Sequence, residues 1–200
     1  LLDLINQLLD FQKTESEAYL LNLESQNVSE IIRETFIRFK PLTKQKELNF
    51  ELDLPQVDMY ARVDKEAFLK IISNLINNAI KFCDSYVRLK AYISFVEDEQ
   101  FFHLVTENDG ETIPEKYREE IFKAFVHLNN KQDQSLKGTG IGLALSRSLT
   151  ELHNGTLELD HQSEFTRFHL MLPAGNTKEI ETGSSRDPKK CITKDLTNKS

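Results

Sequence analysis

Cysteine is scarce in this sequence, and its spacing argues against two common kinds of stabilisation. The 200 residues contain two cysteines, Cys83 and Cys191, which are too far apart for a CxxC pair or another metal-binding spacing. Neither a disulfide framework nor a zinc site is therefore expected to organise the fold. We expect reduced thiols and a cytoplasmic location for this segment.

Long hydrophobic runs and an excess of positive charge are also missing. No segment approaches the roughly 18 apolar residues of a membrane-spanning helix, so we expect no membrane contact by this segment. The formal net charge is −7. This charge argues against nucleic-acid binding, because affinity for a phosphate backbone depends on clustered Lys and Arg. A single bound nucleotide needs only local positive charge and is still compatible with this composition.

The composition is that of a soluble protein with one main domain, since hydrophobic residues make up 39% and charged residues 28% of the chain. Over residues 1–12, apolar residues recur with a helical period but no capping residue precedes them. One such stripe cannot bury itself, so we expect part of a helical bundle or coiled coil. The polar residues 174–200 have almost nothing to bury and are expected to form a disordered linker or tail.

The first half of the intervening chain shows one helical and two strand-like patterns. A helix is predicted over 28–39, with Ser29 as its N-cap and Pro41 at its end. Alternating apolar residues predict a strand over 47–54. The short run at 59–63 is predicted to be the partner of that strand.

The second half adds a long helix and two hairpins. Asp64 is predicted to cap a helix over 65–82, and pairs of strand-like runs within 86–106 and 156–172 predict one hairpin each. A further helix follows the glycine-rich loop and is predicted to end with Gly155 in the left-handed conformation. The expected fold is an α+β, two-layer sandwich. A mixed, mainly antiparallel sheet of about five strands is covered on one face by about three helices and preceded by a bundle helix.

Three asparagines lie close together on the helix over 65–82. Asn74, Asn78 and Lys81 stand at i, i+4 and i+7 and share one arc opposite the apolar stripe, and Asn77 lies close to that arc. One interpretation is a solvated polar face. The other is a site in which an amide oxygen binds Mg²⁺ and the lysine reaches phosphate oxygens, since hard cations take oxygen ligands.

A glycine-rich segment leads directly into the next helix. Glycines let backbone N–H groups approach a phosphate closely, and the helix N-terminus adds a favourable dipole. The alternative is a structural turn. The segment fits neither the dinucleotide-binding fingerprint nor a P-loop. Its residues are Lys137, Gly138, Thr139, Gly140, Ile141, Gly142 and Leu143.

Polar residues also follow the predicted strand that ends near residue 107. Asn108, Asp109 and Gly110, with Ile113 shortly after them, form a favourable turn sequence. Alternatively, a carboxylate or carboxamide oxygen at this strand end accepts a hydrogen bond from the amino group of adenine. Asp109 is an alternative to Asn108 for that role.

A short helix is expected after this loop, with Phe122 packing in the core at the base of a segment over 126–137. This segment contains Lys131 and Lys137 but few large apolar residues. The pattern is typical of a flap that orders over a ligand.

In sequence order, these four elements resemble the N-box, first glycine box, F-box and second glycine box of the catalytic domain of sensor histidine kinases. This domain belongs to the superfamily of gyrase, chaperone and mismatch-repair ATPases. The resemblance covers 28–173, and residues 4–11 are similar to the end of the second helix of the dimerisation bundle. It implies a bundle segment at 1–24, an ATP-binding catalytic domain at 25–173 and a linker or tail at 174–200.

The resemblance also implies roles for individual residues. Asn78 would bind Mg²⁺, Asn74 and Lys81 would be the catalytic residues that face the phosphates, and the glycine loop would shape the hinge of the flap. The residues assigned to ATP are Asn74, Asn77, Asn78, Lys81, Asn108, Asp109, Gly110, Ile113, Phe122, Lys131, Lys137, Gly138, Thr139, Gly140, Ile141, Gly142 and Leu143.

The implied activity is transfer of the γ-phosphoryl group of ATP to a histidine on a bundle helix outside this chain. Hydrolysing branches of the superfamily carry a glutamate where Asn74 stands, and an amide cannot act as a general base. The resemblance further implies a homodimeric full-length protein, anchored in the inner or plasma membrane. A response regulator or receiver domain would be its partner, as in hybrid two-component sensors.

The sequence departs from the family pattern at several positions. Asn108 replaces an aspartate, Thr112 replaces a glycine, and His127 stands where the flap often has an arginine. A degenerate scaffold that binds nucleotide weakly is therefore an alternative, and a hydrolysing ATPase is another. None of the histidines begins a phosphoacceptor motif, and each is expected to be an ordinary surface or strand residue. They are His103, His127, His153, His161 and His169.

Overall fold

A five-stranded sheet lies at the centre of the fold. A computed structural model of the chain describes residues 2–16, 19–126, 139–160 and 164–175. The strands in these ranges are β1 (Glu24–Asn27), β2 (Asn49–Asp53), β3 (Tyr60–Val63), β4 (Tyr86–Val96), β5 (Glu99–Asn108), β6 (Thr156–Leu159) and β7 (Thr166–Pro173). The sheet order is β2-β4-β5-β7-β6. Only β2 and β4 are parallel within it, so the predicted mixed, mainly antiparallel sheet is confirmed.

Helices cover one face of this sheet. The helices within the described ranges are α1 (Leu2–Glu15), α2 (Val28–Gln45), α3 (Lys65–Phe82) and α4 (Gly142–Leu152). None of them combines the length and the hydrophobicity needed to span a bilayer. The ring of Phe68 on α3 meets the ring of Phe102 on β5 edge to face, with centroids 5.7 Å apart. The core therefore lies between the helices and the sheet, as expected for a two-layer sandwich.

Helix α3 forms as the sequence predicts. The Asp64 side chain accepts a hydrogen bond from the backbone N–H of Ala67, which satisfies one of the free donors at the helix start. Apolar side chains at helical spacing are fully or almost fully buried on the face toward the sheet. They are Phe68, Ile71, Ile72, Leu75, Ile76 and Ala79.

The predicted partner of the 47–54 strand is wrong. β3 pairs antiparallel with β1, whereas β2 pairs in parallel with β4, placing Phe50 opposite Val87. Alternation of apolar residues fixes which face of a strand is buried, but it carries no information on the neighbouring strand. The polar β1 also has no apolar alternation of its own that would predict it.

The predicted ends of α2 are also wrong. Asn27 is the N-cap and accepts from the N–H of Glu30, whereas Ser29 is buried and its hydroxyl accepts from the N–H of Met59. Pro41 lies inside the helix, which continues to Gln45. Proline removes one helical hydrogen bond, to the carbonyl of Ile37. Ile37 is 62% exposed, so water can satisfy that carbonyl.

His153 is buried at the end of α4, which corrects its expected surface position. Its Nδ1 lies 2.7 Å from the carbonyl oxygen of Leu149, and its Nε2 accepts from the N–H of Asp64 at 3.1 Å. These contacts require a neutral ring with the proton on Nδ1. Burial lowers the pKa of His153, although the bond to Leu149 and the charge of Asp64 oppose that shift. The ring thus joins the end of α4 to the start of α3.

The left-handed residue at the end of α4 is Asn154, whereas the sequence predicts Gly155. Asn154 adopts the left-handed conformation with φ of 57°, and Gly155 does not. A Cβ on Gly155 would lie 2.3 Å from the carbonyl oxygen of Met171 on β7. Gly155 is therefore needed because the chain passes close to the neighbouring strand.

Two histidines meet on the sheet face opposite the helices. His103 Nδ1 lies 2.8 Å from His169 Nε2, and His103 Nε2 lies 2.7 Å from the hydroxyl of Ser94. The Tyr92 ring stacks on His103 with centroids 4.6 Å apart. Burial lowers the pKa of both His103 and His169. Both are strand residues, as the sequence predicts.

Candidate nucleotide site

The asparagine helix and the glycine loop meet at Asn74. Its amide nitrogen donates to the carbonyl oxygen of Gly142 at 3.2 Å and to the hydroxyl oxygen of Ser146 at 3.3 Å. Two elements that are far apart in sequence are therefore joined at the start of α4. The side-chain oxygen of Asn74 makes no hydrogen bond to the described residues, and it is the atom available for a ligand.

Asn78 and Lys81 continue the polar arc of α3 beyond Asn74. Both side chains are half-buried, whereas Asn77 is exposed and lies outside this arc. The Lys81 Nζ lies 4.5 Å from the centroid of the Phe82 ring and forms no salt bridge with the described residues. Burial lowers the pKa of Lys81. A half-buried cation without a carboxylate partner favours an anionic ligand.

The glycine loop places its residues in different environments. Gly140 has a φ of 68°, a conformation that favours glycine, whereas Ile141 is fully buried in the core. The Thr139 hydroxyl accepts from the N–H of Ile141 and donates to Gln7 Oε1, both at 3.2 Å. Leu143 is half-buried and packs against the core. Ile141 and Leu143 thus anchor the loop by packing.

Gly142 does not need to be glycine for the fold alone. A Cβ at this position would lie 3.6 Å from Asn74 Cγ, which is an ordinary van der Waals distance. Its φ is not in the left-handed region. The fold therefore has room for a methyl group at Gly142.

Gly110 lies at the other end of the site, where β5 ends against α3. A Cβ on Gly110 would lie 1.6 Å from the carbonyl oxygen of Phe82 and 3.1 Å from Asn108 Nδ2. The close approach of the two backbones therefore requires glycine. Asn108 is only 2% exposed, and its Nδ2 has no hydrogen-bond partner within the described ranges.

Asp109 is engaged elsewhere. Its carboxylate accepts from the backbone N–H groups of Asp84, Ser85 and Tyr86 at 2.9 to 3.1 Å and from the Ser85 hydroxyl at 2.7 Å. Burial raises its pKa, but these hydrogen bonds outweigh that effect and lower the pKa from 3.8 to about 2. Asp109 thus holds the turn between α3 and β4. Asn108, whose Nδ2 has no partner among the described residues, has no comparable role in this turn.

The base of the predicted flap is closed by a backbone hydrogen bond. The N–H of Phe125 donates to the carbonyl oxygen of Gly140 at 2.9 Å. The expected short helix before it consists of two 3-10 turns, Glu115–Tyr117 and Glu120–Phe122. Phe122 is buried, and its ring meets that of Phe168 edge to face at 6.1 Å.

Two other predicted residues of this region are described. Ile113 is half-buried beside the core, and Thr112 is exposed. The remaining predictions fall outside the described residues. These are Lys131, Lys137, Gly138, His127 and His161.

Several contacts at the site were not predicted from the sequence. Ser146, which contacts Asn74, follows Gly142 by one helical turn. Because residues at i and i+4 lie on one face of a helix, this spacing indicates that Ser146 lies on the same face as Gly142. Helix α1 also reaches the site, since Asp10 forms a salt bridge of 2.7 Å with Lys70 of α3 and Gln7 binds Thr139. No local signal predicts these two contacts, because they depend on how α1 docks.

The helix-covered sheet and the meeting of α3 with the glycine loop define an ATPase-type nucleotide-binding domain. The chain belongs to the family described as "Histidine kinase-, DNA gyrase B-, and HSP90-like ATPase". This family matches residues 63–176, more than half of the 200 residues. The family membership predicted from the four motifs is confirmed.

Known relatives have related sequences. The chain is 28% identical over 177 residues to sensor histidine kinase WalK of Bacillus subtilis (strain 168), covering 88% of this chain and 29% of WalK. It is 31% identical over 174 residues to sensor histidine kinase TmoS of Ectopseudomonas mendocina, covering 86% of this chain and 18% of TmoS. It therefore spans less than a third of either relative.

A solved structure, full-length ShkA in complex with AMPPNP, has a TM-score of 0.71 and 22% identity to this chain. The match covers 88% of this chain and 36% of ShkA. This likeness shows the fold.

Proposed function

We propose that this chain is the ATP-binding catalytic domain of a two-component sensor histidine kinase. It transfers the γ-phosphoryl group of ATP to a histidine on a bundle helix outside this chain. The observation that carries the proposal is the bond between Asn74 and Gly142, which brings the asparagine helix and the glycine loop to one place. The complex of ShkA with the ATP analogue AMPPNP supports a nucleotide at the equivalent fold.

Asn74 favours transfer of the γ-phosphoryl group over hydrolysis of ATP. Its amide nitrogen is committed to Gly142 and Ser146, so its oxygen faces the remaining space as a neutral acceptor. Such an oxygen can orient a group near the γ-phosphate but cannot take a proton from water at neutral pH. ATP held here is therefore kept for a phosphoacceptor.

The phosphate end is held by opposite charge and by backbone N–H groups. Lys81 supplies a half-buried cation without a carboxylate partner among the described residues, and the first turn of α4 presents free N–H groups beside Gly142. Both features lower the free energy of a bound anion. Lys131 and Lys137 are proposed to add charge from outside the described ranges.

Mg²⁺ would be shared between protein and nucleotide. The described residues contain no cluster of three or more His, Cys, Asp or Glu side chains that could hold a metal alone. Mg²⁺ usually keeps several waters and takes only one or two protein ligands beside phosphate oxygens. The half-buried amide of Asn78 fits that requirement, with its oxygen as the protein ligand. The ion would neutralise charge on the phosphates.

The acceptor histidine and the signalling partners lie outside this chain. His103, His153 and His169 are each engaged in hydrogen bonds within the fold, which makes them poor phosphoacceptors. Helix α1 is proposed to be the end of the dimerisation bundle, so the full-length protein would be a homodimer with its acceptor upstream. A response regulator or receiver domain would then take the phosphoryl group. The domain would be cytoplasmic, in a parent protein anchored in the membrane.

Two observations favour a second candidate, a signalling scaffold of the same fold with weak nucleotide binding. Asn108, whose Nδ2 has no partner among the described residues, and the exposed Thr112 replace the aspartate and glycine usual in the family. Both candidates predict the same fold but differ in affinity for ATP.

Calorimetry separates these candidates. Titration of the chain with ATP and Mg²⁺ should give binding heat, and Asn78→Ala should lose the Mg²⁺-dependent part. Asn49→Ala, which changes an exposed asparagine on the edge strand β2, is the matched control. Absence of heat at millimolar ATP would overturn the kinase proposal. Transfer of label from γ-labelled ATP to a histidine of a separately supplied upstream bundle segment tests the reaction itself.

A further inference from the structure

The end of β5 points a polar side chain toward the helix layer. Alternate residues of β5 face α3, as the contact between Phe102 and Phe68 shows, and Thr106 and Asn108 share the face of Phe102. Both are almost fully buried, and each has a polar side-chain atom without a hydrogen-bond partner among the described residues. A strand otherwise lined by Phe and Leu thus ends in two unsatisfied polar groups.

The Asn108 amide nitrogen is the more informative of the two groups. Leaving a buried donor unpaired costs about 1 to 3 kcal/mol, so an acceptor at this point would be bound favourably. The position of Nδ2 is defined by its closeness to Gly110, where β5 passes the carbonyl oxygen of Phe82. Asp109 does not compete for a ligand here, because its carboxylate is bound to the turn at residues 84–86.

Carboxylates and carboxamides differ in the hydrogen bonds that they can form with the group at C6 of a purine. A carboxylate only accepts hydrogen bonds, so it selects a purine with an amino group at C6 and repels one with a carbonyl there. A carboxamide offers an acceptor oxygen and a donor NH2 group, and a half-turn of its terminal torsion exchanges their positions. No partner of Nδ2 in the described structure fixes the Asn108 amide in one orientation.

We propose that Asn108 makes this pocket a dual purine site, which accepts nucleoside triphosphates with either an amino or a carbonyl group at C6. With a 6-aminopurine, the Asn108 oxygen accepts from the amino group. With a 6-oxopurine, the Asn108 N–H donates to the carbonyl oxygen and satisfies the buried donor. This inference rests on the proposed function, because it requires that the pocket hold a nucleotide.

The test compares ATP with inosine triphosphate, which carries a carbonyl at C6 and nothing at C2. Calorimetry of the full chain with Mg²⁺ should give dissociation constants that agree within about tenfold, the cost of one neutral hydrogen bond. Binding of ATP together with rejection of inosine triphosphate by the unmodified chain would overturn the inference. This comparison needs no variant and does not depend on whether a substitution folds.

Asn108→Asp then tests whether the carboxamide of Asn108 is the reason that both purines bind. It should tighten ATP binding and weaken inosine triphosphate binding by about tenfold or more, because a carboxylate would face the carbonyl. Asn49→Asp makes the same chemical change at an exposed position and should leave the ratio of the two constants unchanged. An unchanged ratio in Asn108→Asp would also overturn the inference.

Two further outcomes have separate meanings. If neither nucleotide binds to the unmodified chain or to Asn108→Asp, the proposed function fails, and that result differs from selective binding of ATP. GTP adds an amino group at C2. Binding of inosine triphosphate with rejection of GTP supports recognition of the group at C6 and shows that the pocket excludes a substituent at C2. Binding of both nucleotides extends the dual site to guanine.

Discussion

The amide nitrogen of Asn74 lies 3.2 Å from the carbonyl oxygen of Gly142, so the middle of α3 is fixed to the first residue of α4. The same nitrogen also meets the buried hydroxyl of Ser146. These two bonds hold the middle of α3 against the first turn of α4. They therefore have consequences for stability as well as for activity.

Asn74→Asp tests this contact. The substitution replaces the donor by an acceptor that faces the Gly142 carbonyl, so we expect the free energy of unfolding to fall by about 1 to 3 kcal/mol. Urea denaturation followed by circular dichroism measures the change. Asn77→Asp, on the exposed side of the same helix, should change stability by no more than about 0.5 kcal/mol. Equal stabilities of the two variants would contradict the contact.

Two glycines of the site should respond differently to alanine. Gly110→Ala places a methyl group on the carbonyl oxygen of Phe82, and we expect a loss of about 3 kcal/mol or more. Gly142→Ala has room for the methyl group at the start of a helix and should keep or slightly raise the melting temperature. It should nevertheless weaken ATP binding, because the methyl group occupies the approach of the phosphates. Thermal unfolding and calorimetry on both variants separate these effects, and normal ATP affinity in Gly142→Ala would argue against a phosphate site there.

Lys81 should contribute charge to ATP binding in a pH-dependent way. Burial lowers its pKa from 10.5, so affinity should be highest below the lowered pKa and decline as the pH rises through it. Lys81→Met should weaken binding about tenfold and remove that decline. Lys65→Met removes the same charge from the exposed start of α3 and is the control. A pH profile that is identical in the unmodified chain and in Lys81→Met would show that another group binds the phosphates.

His153 should make stability depend on pH in the mildly acidic range. Its pKa is lowered in the folded chain, so the unfolded chain binds the proton more tightly. Stability should therefore fall as the pH drops below 6.5, and the slope should vanish below the folded pKa. His103 and His169 act with the same sign. In His153→Gln, the urea midpoint should change less between pH 7.5 and 5.5 than in the unmodified chain, and an equal change would exclude His153 as a contributor.

Local signals predicted the parts of the fold that depend on one segment. Helix α3 carries its cap at Asp64 and its apolar stripe within its own sequence, and both are as expected. The pairing of β1 with β3 depends instead on residues far apart in sequence, and β1 has no apolar alternation. Pro41 misled the prediction because a helix tolerates the loss of one hydrogen bond where water can replace it.

The same distinction applies to the candidate site. The spacing of Asn74, Asn78 and Lys81 placed them on one arc, and the structure shows that Asn74 of this arc contacts the glycine loop. The role of Asp109 could not be predicted, because its hydrogen-bond donors at residues 84–86 approach it only in the folded chain. The neutral state of His153 likewise follows from two contacts made by distant backbone groups.

The hydrogen bond between Phe125 and Gly140 has a consequence for protein engineering. It joins two residues that lie on either side of the segment over 126–139. For a flexible connection, each doubling of its length adds only about 0.6 kcal/mol of closure entropy. A reporter peptide inserted between these two residues should therefore leave the packing of α3 against α4 intact. With the proposed nucleotide site beside it, this point would be a suitable place to build a biosensor.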